Sequence, residues 1–404
     1  MDLVNHSIKA VSEKQKKLGF IGAACSLAFV YAASAAPVPL YNTYRQTLGL
    51  NSSHLSLSAV AYFAGTLISL LIFARLSNYL GRRPVIFATL ATAAVGCFFF
   101  MSVKNVPMFM AGRLIQGLAC GLASSTITTY VVDNAPVTPA WLGATVTSGT
   151  PNFGLAVGAF GSAAINQVTS GSMTLVYVVL IAALVGCTGL IAFGPETVAY
   201  SRGAVSSLVP QIRVPKNIRS LLPAASAAFI GSWAIGGFYQ AFSSTMAAEQ
   251  LGTTNTLAAA AIFACMMAPI AIGGSLSGRL KPVAAQRIGM SLFFLCIIAI
   301  LITLKVGAMI PFLVVTVLAG ITQGATFTGS MRGLLDKTSQ KDRAGVLSTI
   351  YLISYSGAAT PSLIVGRISG YFSLLEIAAG YCAFVGVACL LTLIFSSFKR
   401  KKAS

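Results

Sequence analysis

The stretch Ala74-Arg75-Leu76-Ser77-Asn78-Tyr79-Leu80-Gly81-Arg82-Arg83-Pro84 decides the fold, because it is a short basic turn between two long apolar segments. Each flanking segment has about 20 residues, the length that a helix needs to cross the hydrocarbon core of a bilayer. A helix also satisfies its own backbone hydrogen bonds in lipid. The stretch therefore predicts a loop at a membrane surface that joins two transmembrane helices.

The same alternation continues along the 404-residue chain, of which 56% is hydrophobic and 9% is charged. A soluble domain carries about 25% charged residues. The composition and the apolar spacing predict an all-α integral membrane protein with twelve transmembrane helices. The predicted spans are 19–43, 54–74, 84–103, 106–131, 140–164, 173–194, 221–246, 255–276, 284–304, 309–330, 344–366 and 375–397.

The basic residues are unequally divided between the two sides of this topology. When the connections are assigned alternately inside and outside, starting inside, 22 of the 27 basic residues fall inside. Basic loops stay in the cytoplasm during insertion. We therefore predict a multi-pass protein of the cell (inner or plasma) membrane with both termini in the cytoplasm. The net charge of +19 belongs to these loops, so a nucleic-acid partner is not expected.

A long basic loop divides the predicted helices into two groups of six. The predicted domains are an N-terminal six-helix bundle (1–194), a cytoplasmic central loop (195–220) and a C-terminal six-helix bundle (221–404). Short matches recur in the same span of each half, which predicts two pseudo-symmetric bundles, as in transporters built from parallel repeats. The matches are Leu76-Ser77 with Leu276-Ser277, Pro84-Val85 with Pro282-Val283, Gln116-Gly117 with Gln323-Gly324, and Thr150-Pro151 with Thr360-Pro361.

The turn at 74–84 resembles the signature of the major facilitator superfamily, Gly-x-Leu-(Ala/Ser)-Asp-Arg-x-Gly-Arg-(Lys/Arg), in the same place between spans two and three. Arg113-Leu114-Ile115-Gln116-Gly117 in span four is similar to an Arg-x-x-Gln-Gly element of that family. The stretch 149–154 partly resembles an element of its twelve-span drug/proton antiporter-like branch. The resemblance implies alternating access by two rocking bundles, a small-molecule substrate, no cofactor and a monomer.

In the family the turn at 74–84 latches the two halves together, so the resemblance gives it a gating role. Asn78 and Tyr79 stand where the family has aspartate and arginine, and the neutral amide predicts a weaker latch. Pro151 and Gly154 should bend span five and let its neighbour approach closely. Asp133 is the expected carboxylate partner of Arg82. The predicted gating residues are Asn78, Gly81, Arg82, Arg83, Asp133, Pro151 and Gly154.

Arg113 lies within a span, where a buried arginine costs roughly 2.5–3.5 kcal/mol on insertion scales. Such residues usually face a polar cavity, and Gln116 lies on the same helix face. Snorkelling to the outer surface is the alternative for Arg113, and ordinary packing is the alternative for the aromatic and amide candidates. Tyr41 and Tyr44 are expected to be interfacial anchors. The predicted cavity residues are Arg113, Gln116, Asn152, Trp233, Tyr239, Gln323 and Tyr355.

Eight acidic residues are present, and none falls at mid-membrane in the predicted topology. Proton-coupled exporters often use a carboxylate buried within a span. Glu249 and Glu376, at outer helix ends, are therefore the candidates for proton coupling, with facilitated diffusion or exchange as alternatives. The eight cysteines form no Cys-x-x-Cys pair, so no metal site is expected.

The sequence predicts a secondary-active transporter that exports small amphipathic or drug-like compounds, with protons as the candidate coupling ion. The alternative is uptake or exchange of an organic anion or a sugar by the same fold, since Arg113 suits an anion. An enzyme is not expected, because two histidines and edge carboxylates form no catalytic cluster.

Overall fold

A computed structural model describes residues 12–138, 142–169, 173–210, 212, 214–339 and 342–397. Several predicted inside basic residues lie outside the described residues, namely Lys9, Arg213, Lys341, Lys399, Arg400, Lys401 and Lys402. The described ranges contain twelve long helices. They are α1 (Glu13–Leu48), α2 (Ser52–Phe73), α3 (Arg82–Met101), α4 (Val106–Asp133), α5 (Leu142–Val168), α6 (Met173–Phe193), α7 (Leu222–Thr245), α8 (Thr256–Ser277), α9 (Pro282–Val306), α10 (Met309–Leu335), α11 (Arg343–Ile368) and α12 (Leu374–Ser397).

Each helix overlaps one predicted span, and the predicted all-α, twelve-helix fold is confirmed. By length and composition, nine of the helices in the described residues are long and apolar enough to cross a membrane. The other three, α5, α7 and α11, are 27, 24 and 26 residues long. Their glycine, serine and threonine content lowers their hydropathy, and these are helices that pack at the contact between the two bundles.

The N-terminal bundle (α1–α6) and the C-terminal bundle (α7–α12) repeat the same close packing. A Cβ atom added to Gly117 of α4 would collide with the carbonyl oxygen of Tyr62 in α2, and one added to Gly324 of α10 would collide with that of Ile270 in α8. A Cβ atom added to Gly65 of α2 or to Gly273 of α8 would likewise collide with a backbone carbonyl oxygen of the neighbouring helix, α4 or α10. The two bundles are therefore pseudo-symmetric in contacts as well as in sequence.

The loops rich in arginine and lysine meet at one end of the molecule, called here the basic face. Arg75 donates to the carbonyl oxygens of Ser207 (3.0 Å) and Val209 (2.8 Å) in the central loop. Asn217 of that loop contacts the carbonyl of Lys337, and Arg332 donates to the carbonyl of Ser277 at 2.9 Å. The other end of the bundles is called the opposite face. The cytoplasmic position of the basic face stays a prediction.

Helix α1 is interrupted by Pro37 and Pro39 near the opposite face. Its α-helical part ends at Ala35, a 3₁₀ turn spans Val38–Leu40, and the helix resumes over Tyr41–Leu48. Proline has no N–H, so the carbonyl of Ala33 has lost the donor that residue 37 would supply. The interruption therefore leaves backbone acceptors inside the bundle that need partners from another helix.

Tyr41 and Tyr44 are fully buried, so their prediction as interfacial anchors is wrong. The Tyr44 hydroxyl lies 2.8 Å from that of Tyr177, and the ring packs edge-on against Phe109 at 5.4 Å between centroids. Burial is possible because the resumed part of α1 turns into the N-terminal bundle. The hydroxyl pair satisfies both polar groups away from water.

Candidate functional site

A cavity of about 560 Å³ lies between the two bundles. Its walls come from α1, α2, α4 and α5 of the N-terminal bundle and from α7, α8, α10 and α11 of the C-terminal bundle. Except for Phe263, the α4, α5, α8 and α10 residues in its wall belong to the halves of those helices nearer the basic face. Its size is within the usual range for sites that bind small molecules.

Polar contacts between the bundles close the cavity at the opposite face. Asn42 donates from Nδ2 to the carbonyl of Ser244 at 2.8 Å, and Ser244 Oγ donates to the carbonyl of Val38 at 2.7 Å. Ser56 Oγ donates to the carbonyl of Ser362 at 2.5 Å. Among the described residues, no hydrogen bond joins α4 or α5 to α8 or α10 on the basic-face side of the cavity. The conformation is therefore sealed at the opposite face.

The wall of the cavity is aromatic and neutral. Trp233 packs edge-on against Tyr355 with centroids 4.6 Å apart, and Phe63 of the other bundle lies 6.0 Å from Tyr355. No charged side chain is among the described lining residues. The aromatic members are Tyr31, Tyr62, Phe63, Trp233, Phe263, Phe327, Tyr351 and Tyr355.

Amides and hydroxyls are set between these rings. Gln323 donates from Nε2 to the carbonyl of Ser232 at 2.9 Å, and its Oε1 has no partner among the described residues. Gln240 Oε1 is likewise buried without a partner. Tyr31 shares a 2.6 Å hydrogen bond with Ser124, which lies in a π-helical turn of α4 (Ala123–Ile127). Unpaired buried acceptors are costly, so both oxygens lack donors that the described residues do not supply.

Four of the seven predicted cavity residues line it: Asn152, Trp233, Gln323 and Tyr355. Tyr239 is buried elsewhere, with its hydroxyl 2.9 Å from Thr316 Oγ1. Arg113 and Gln116 are also buried and outside the lining. Tyr31 and Tyr62 on the neighbouring helices occupy the lining instead, and neither was among the predicted cavity residues.

Arg113 is held behind the Tyr62 ring, with its guanidinium carbon 4.7 Å from the ring centroid. Its Nη1 donates to the carbonyl of Ser34 (2.8 Å) and to Gln116 Oε1 (2.9 Å). Gln116 Nε2 donates to the carbonyl of Ala33 at 2.7 Å. The pair therefore supplies donors where the prolines interrupt α1. Arg113 Nε and Nη2 have no hydrogen-bond partner among the described residues.

The turn at 74–84 forms a network within the N-terminal bundle. Arg82 donates from Nε to Asp133 Oδ2 at 3.3 Å, which is the ion pair expected between them. Its Nη1 donates to Ser77 Oγ and to Asn78 Oδ1, both at 2.6 Å. The amide of Asn78 thus accepts the hydrogen bond that a carboxylate would accept there, without adding charge.

Glu196 is a member of this network that the sequence reasoning missed. Its carboxylate accepts the N–H groups of Arg82 (2.7 Å) and Arg83 (3.0 Å) at the start of α3. Gly81 has φ +89°, and a Cβ there would lie 2.8 Å from Glu196 Oε2. The signal available in the sequence was Pro195-Glu196-Thr197, which closes span six, with an acidic residue in an otherwise basic loop.

Helix α5 lines the cavity through Pro151 and Asn152 and packs on α1 through glycine. A Cβ on Gly154 would lie 2.5 Å from the carbonyl oxygen of Ala28, so only glycine permits this approach. Proline inside the helix removes one backbone hydrogen bond. Helix α5 is therefore weakened at the level of the cavity and tightly packed against α1 just beyond it.

The two candidate coupling carboxylates lie at the opposite face and outside the cavity lining. Glu249 pairs with Arg45 across the bundle interface, at 3.0 Å between Oε1 and Nη1. Glu376 accepts the N–H of Ser373 at 2.7 Å in the first turn of α12. Within the described residues, no three His, Cys, Asp or Glu side chains could hold a metal ion together.

Twelve helices in two pseudo-symmetric bundles around a central cavity define a polytopic membrane protein of the transporter class. A family model described as Major Facilitator Superfamily matches residues 23–362, and the chain belongs to that family. The protein is therefore a multi-pass membrane protein and a secondary transporter of a small molecule.

Proposed function

We propose that this transporter exports small amphipathic or drug-like compounds, and that the cavity between the bundles holds them. The observation that carries the proposal is the neutral aromatic wall around Trp233 and Tyr355. Aromatic faces bind apolar rings and organic cations. The unpaired oxygens of Gln240 and Gln323 add acceptors for a donor group on the substrate.

Export by alternating access requires that the opposite face open while the basic face closes. The contacts of Asn42, Ser56 and Ser244 with the other bundle are those that would have to break. In the proposal, Asn78, Gly81, Arg82, Arg83 and Asp133 form the latch at the basic face, and Pro151 with Gly154 lets α5 bend. The basic face is the cytoplasmic one, with both termini there, in a monomer in the cell membrane.

Coupling to protons is proposed through Glu249, because its partner Arg45 belongs to the other bundle. A proton on Glu249 would remove the negative charge of this pair and so favour separation of the bundles at the opposite face. Glu376 is the weaker candidate, since its hydrogen bonds stay within the first turn of α12.

Transport of an organic anion is the second candidate, and one observation favours it. Two buried nitrogens of Arg113, Nε and Nη2, have no partner among the described residues, and the Tyr62 ring lies over its guanidinium. A rotation of Tyr62 would give a carboxylate on the substrate access to this cation. Bidentate binding of carboxylates by arginine is strong.

The test compares transport of a lipophilic aromatic cation, ethidium, with that of benzoate in proteoliposomes under an imposed pH gradient. For export of amphipathic compounds, Trp233→Ala and Tyr355→Ala should raise the KM for ethidium on the order of tenfold, because ring contacts with the substrate are lost. Arg113→Gln should leave that KM unchanged. Phe153→Ala is the matched control, since this α5 ring is 63% exposed and outside the lining.

Benzoate transport that Arg113→Gln abolishes would replace the proposal with the anion alternative. Ethidium transport that survives Trp233→Ala and Tyr355→Ala as fully as it survives Phe153→Ala would remove the cavity from the substrate path. Loss of stimulation by the gradient in Glu249→Gln, but not in Glu376→Gln, is the result expected for coupling through the pair with Arg45.

A further inference from the structure

A second cavity, of about 660 Å³, lies at the basic face of the C-terminal bundle, away from the bundle interface. It is bounded by the first turns of α7 and α9 and by the last turns of α10 and α12. Gly329 and Gly333 of α10 leave space on one side, and Phe395 of α12 lies on another. None of its lining residues belongs to the central cavity.

The polar groups of this cavity select an anion. Lys281 and Arg287 line it, and no carboxylate is among its described lining residues. Gln286 also lines it and is only 6% exposed, and its side chain makes no hydrogen bond within the described part of the chain. The Gln286 amide is accessible from the cavity rather than sealed within the packing, so a polar ligand in the cavity can form a hydrogen bond with it.

The start of α9 adds backbone donors. Pro282 has no N–H, and the N–H groups of Val283 and Ala284 have no acceptor among the described residues. Free N–H groups and the helix dipole make a helix N-terminus attractive to anions. The N-cap residue Lys281 has no capping side-chain hydrogen bond, so this end of α9 has no acceptor of its own.

The N-terminal bundle shows what occupies the equivalent place. Helix α3 corresponds to α9 as the third helix of its bundle, and Arg82 and Arg83 are its first two residues, as Pro282 and Val283 are those of α9. There the carboxylate of Glu196, from the segment after α6, accepts the backbone N–H groups of Arg82 and Arg83. In the C-terminal bundle the last described residues of α12 are the serines Ser396 and Ser397, which carry no charge. One pseudo-symmetric half therefore has its own anion where the other has a cavity.

We infer that this cavity binds the phosphate-bearing headgroup of an anionic phospholipid. Lys281, Arg287 and the N-terminus of α9 contact the phosphate, and Gln286 donates to an ester or headgroup oxygen. The apolar walls favour a lipid over a free anion, because Val283 and Phe395 are 43% and 41% exposed at the edge of the cavity. Acyl chains would continue from there along α9 and α12. Basic pockets between helices at the membrane surface are suited to such headgroups.

The test titrates the purified full chain, in a neutral detergent, with phosphatidylglycerol, phosphatidylcholine or inorganic phosphate. Native mass spectrometry counts bound lipid, and the melting temperature reports stabilisation. We expect one tightly bound phosphatidylglycerol that raises the melting temperature. Lys281→Gln and Arg287→Gln should each weaken its affinity about fivefold, which is the usual contribution of one basic residue near an anionic lipid surface.

Two variants separate this site from general attraction of lipid to a basic surface. Gln286→Leu keeps the charge and the volume, and should weaken phosphatidylglycerol about fivefold through the lost hydrogen bond. Arg279→Gln removes one exposed charge from the same loop outside the cavity, and should leave the affinity within about twofold of the parent. The melting temperature of each variant without lipid shows that it is folded.

Three results would overturn the inference. Equal weakening by Arg279→Gln and by Arg287→Gln would mean that lipid binds the surface charge rather than the cavity. Unchanged affinity in Gln286→Leu would remove the buried amide from the site. Inorganic phosphate or phosphatidylcholine that stabilises the protein as much as phosphatidylglycerol does would rule out an anionic lipid as the preferred ligand.

Discussion

At the scale of single residues, Pro37 explains why an arginine and a glutamine are buried together in α4. The proline leaves the Ala33 carbonyl without its helical donor, and Gln116 Nε2 donates to that oxygen. Arg113 donates to the next carbonyl, that of Ser34. Irregular backbone at membrane depth is tolerated where neighbouring helices satisfy it. The Arg-x-x-Gln element therefore has a structural role in addition to any role in transport.

A double-mutant cycle tests this role. Gln116→Leu should destabilise the protein by about 1–3 kcal/mol, because it leaves the Ala33 carbonyl unsatisfied. Pro37→Ala returns an N–H at residue 37, so Gln116→Leu should cost less in that background, with a coupling of at least about 0.5 kcal/mol. The measurement is the free energy of unfolding of the parent, both single variants and the double variant.

Gln323 provides the matched control for this cycle, since it corresponds to Gln116 in the second bundle. Gln323 Nε2 donates to the Ser232 carbonyl, whose helical donor, residue 236, is a glycine with an N–H. Gln323→Leu and Pro37→Ala should therefore be additive. Equal coupling of Pro37→Ala with Gln116→Leu and with Gln323→Leu would show that the proline acts on the whole molecule rather than on one carbonyl.

Some of these contacts between residues could be predicted from the sequence. The Arg82–Asp133 ion pair could be predicted, because a motif fixes one partner and the inner end of span four offers an acidic residue. The place of Arg113 behind Tyr62 could not, because helix spacing gives the face of a residue but not the rotation of a neighbouring helix. Glu196 was missed since its partners are backbone N–H groups, which have no sequence signature.

At the scale of the helices, glycine sets how closely neighbours approach. Gly65 and Gly117 hold α2 against α4, and Gly273 with Gly324 holds α8 against α10 in the same way. Small residues allow this approach in membranes, where packing rather than apolar burial drives helix association. The repeated contact also keeps each pair rigid, so the bundles can move as units.

Substitution of these glycines should separate the helices. Gly117→Ala and Gly324→Ala place a Cβ on a backbone carbonyl, which cannot move aside as a side chain can. Each should lower the free energy of unfolding by about 1–3 kcal/mol. Gly149→Ala is the control, because no atom of the described residues lies within 4 Å of its Cβ position in α5. It should leave stability unchanged or raise it slightly, since alanine is the better helix former.

The measurement is the thermal unfolding of the three variants in the same detergent. A loss in Gly149→Ala as large as that in Gly117→Ala would mean that any added methyl group is harmful, and the close approach of α2 and α4 would not be the reason. A loss in Gly117→Ala without one in Gly324→Ala would show that the two pairs are alike in geometry but not in energy.

Hydropathy predicted the number and order of the helices because a bilayer requires about 20 apolar residues per span. Hydropathy was less accurate for the ends of the helices and for the residues that face the cavity. Helix α1 continues to Leu48, beyond the predicted residue 43, because it turns inward and buries Tyr41 and Tyr44. Trp233 and Tyr239, both predicted for the cavity, are six residues apart in α7. Trp233 lines the cavity and Tyr239 does not, since packing decides which part of the helix the cavity reaches.

At the scale of the whole molecule, the charged networks at the two faces differ in what they join. At the basic face, Arg82, Asp133 and Thr197 belong to the N-terminal bundle and its following loop. At the opposite face, Arg45 and Glu249 belong to different bundles. Only the second kind of contact must break when the bundles separate there. The pair should therefore stabilise the conformation described here relative to one that is open at the opposite face.

Removing the pair should shift the population toward opening of that face. The reporter is Ser244→Cys, because Ser244 is fully buried at the bundle interface in this conformation. Its labelling by an impermeant maleimide measures opening, after subtraction of labelling of the native cysteines in the parent. Glu249→Gln should raise the labelling rate about twofold to fivefold. The effect is modest because the pair is partly exposed, 28% and 41% for the two side chains, and such pairs contribute at most about 1 kcal/mol.

Two further variants distinguish the ion pair from surface charge in general. The charge reversal Arg45→Glu with Glu249→Arg should return the rate to that of the reporter alone, because the attraction depends on opposite charge and not on which bundle carries which sign. Glu376→Gln removes a carboxylate at the same face whose hydrogen bonds, among the described residues, are with Ser373 at the start of its own helix, and it should leave the rate unchanged. If Glu376→Gln accelerates labelling as much as Glu249→Gln, surface charge in general controls opening. If the reversal fails to restore the slow rate, attraction between opposite charges is not what keeps this face closed, and the hydrogen bonds of Asn42 to the Ser244 carbonyl and of Ser56 to the Ser362 carbonyl hold the two bundles together in the reporter variant.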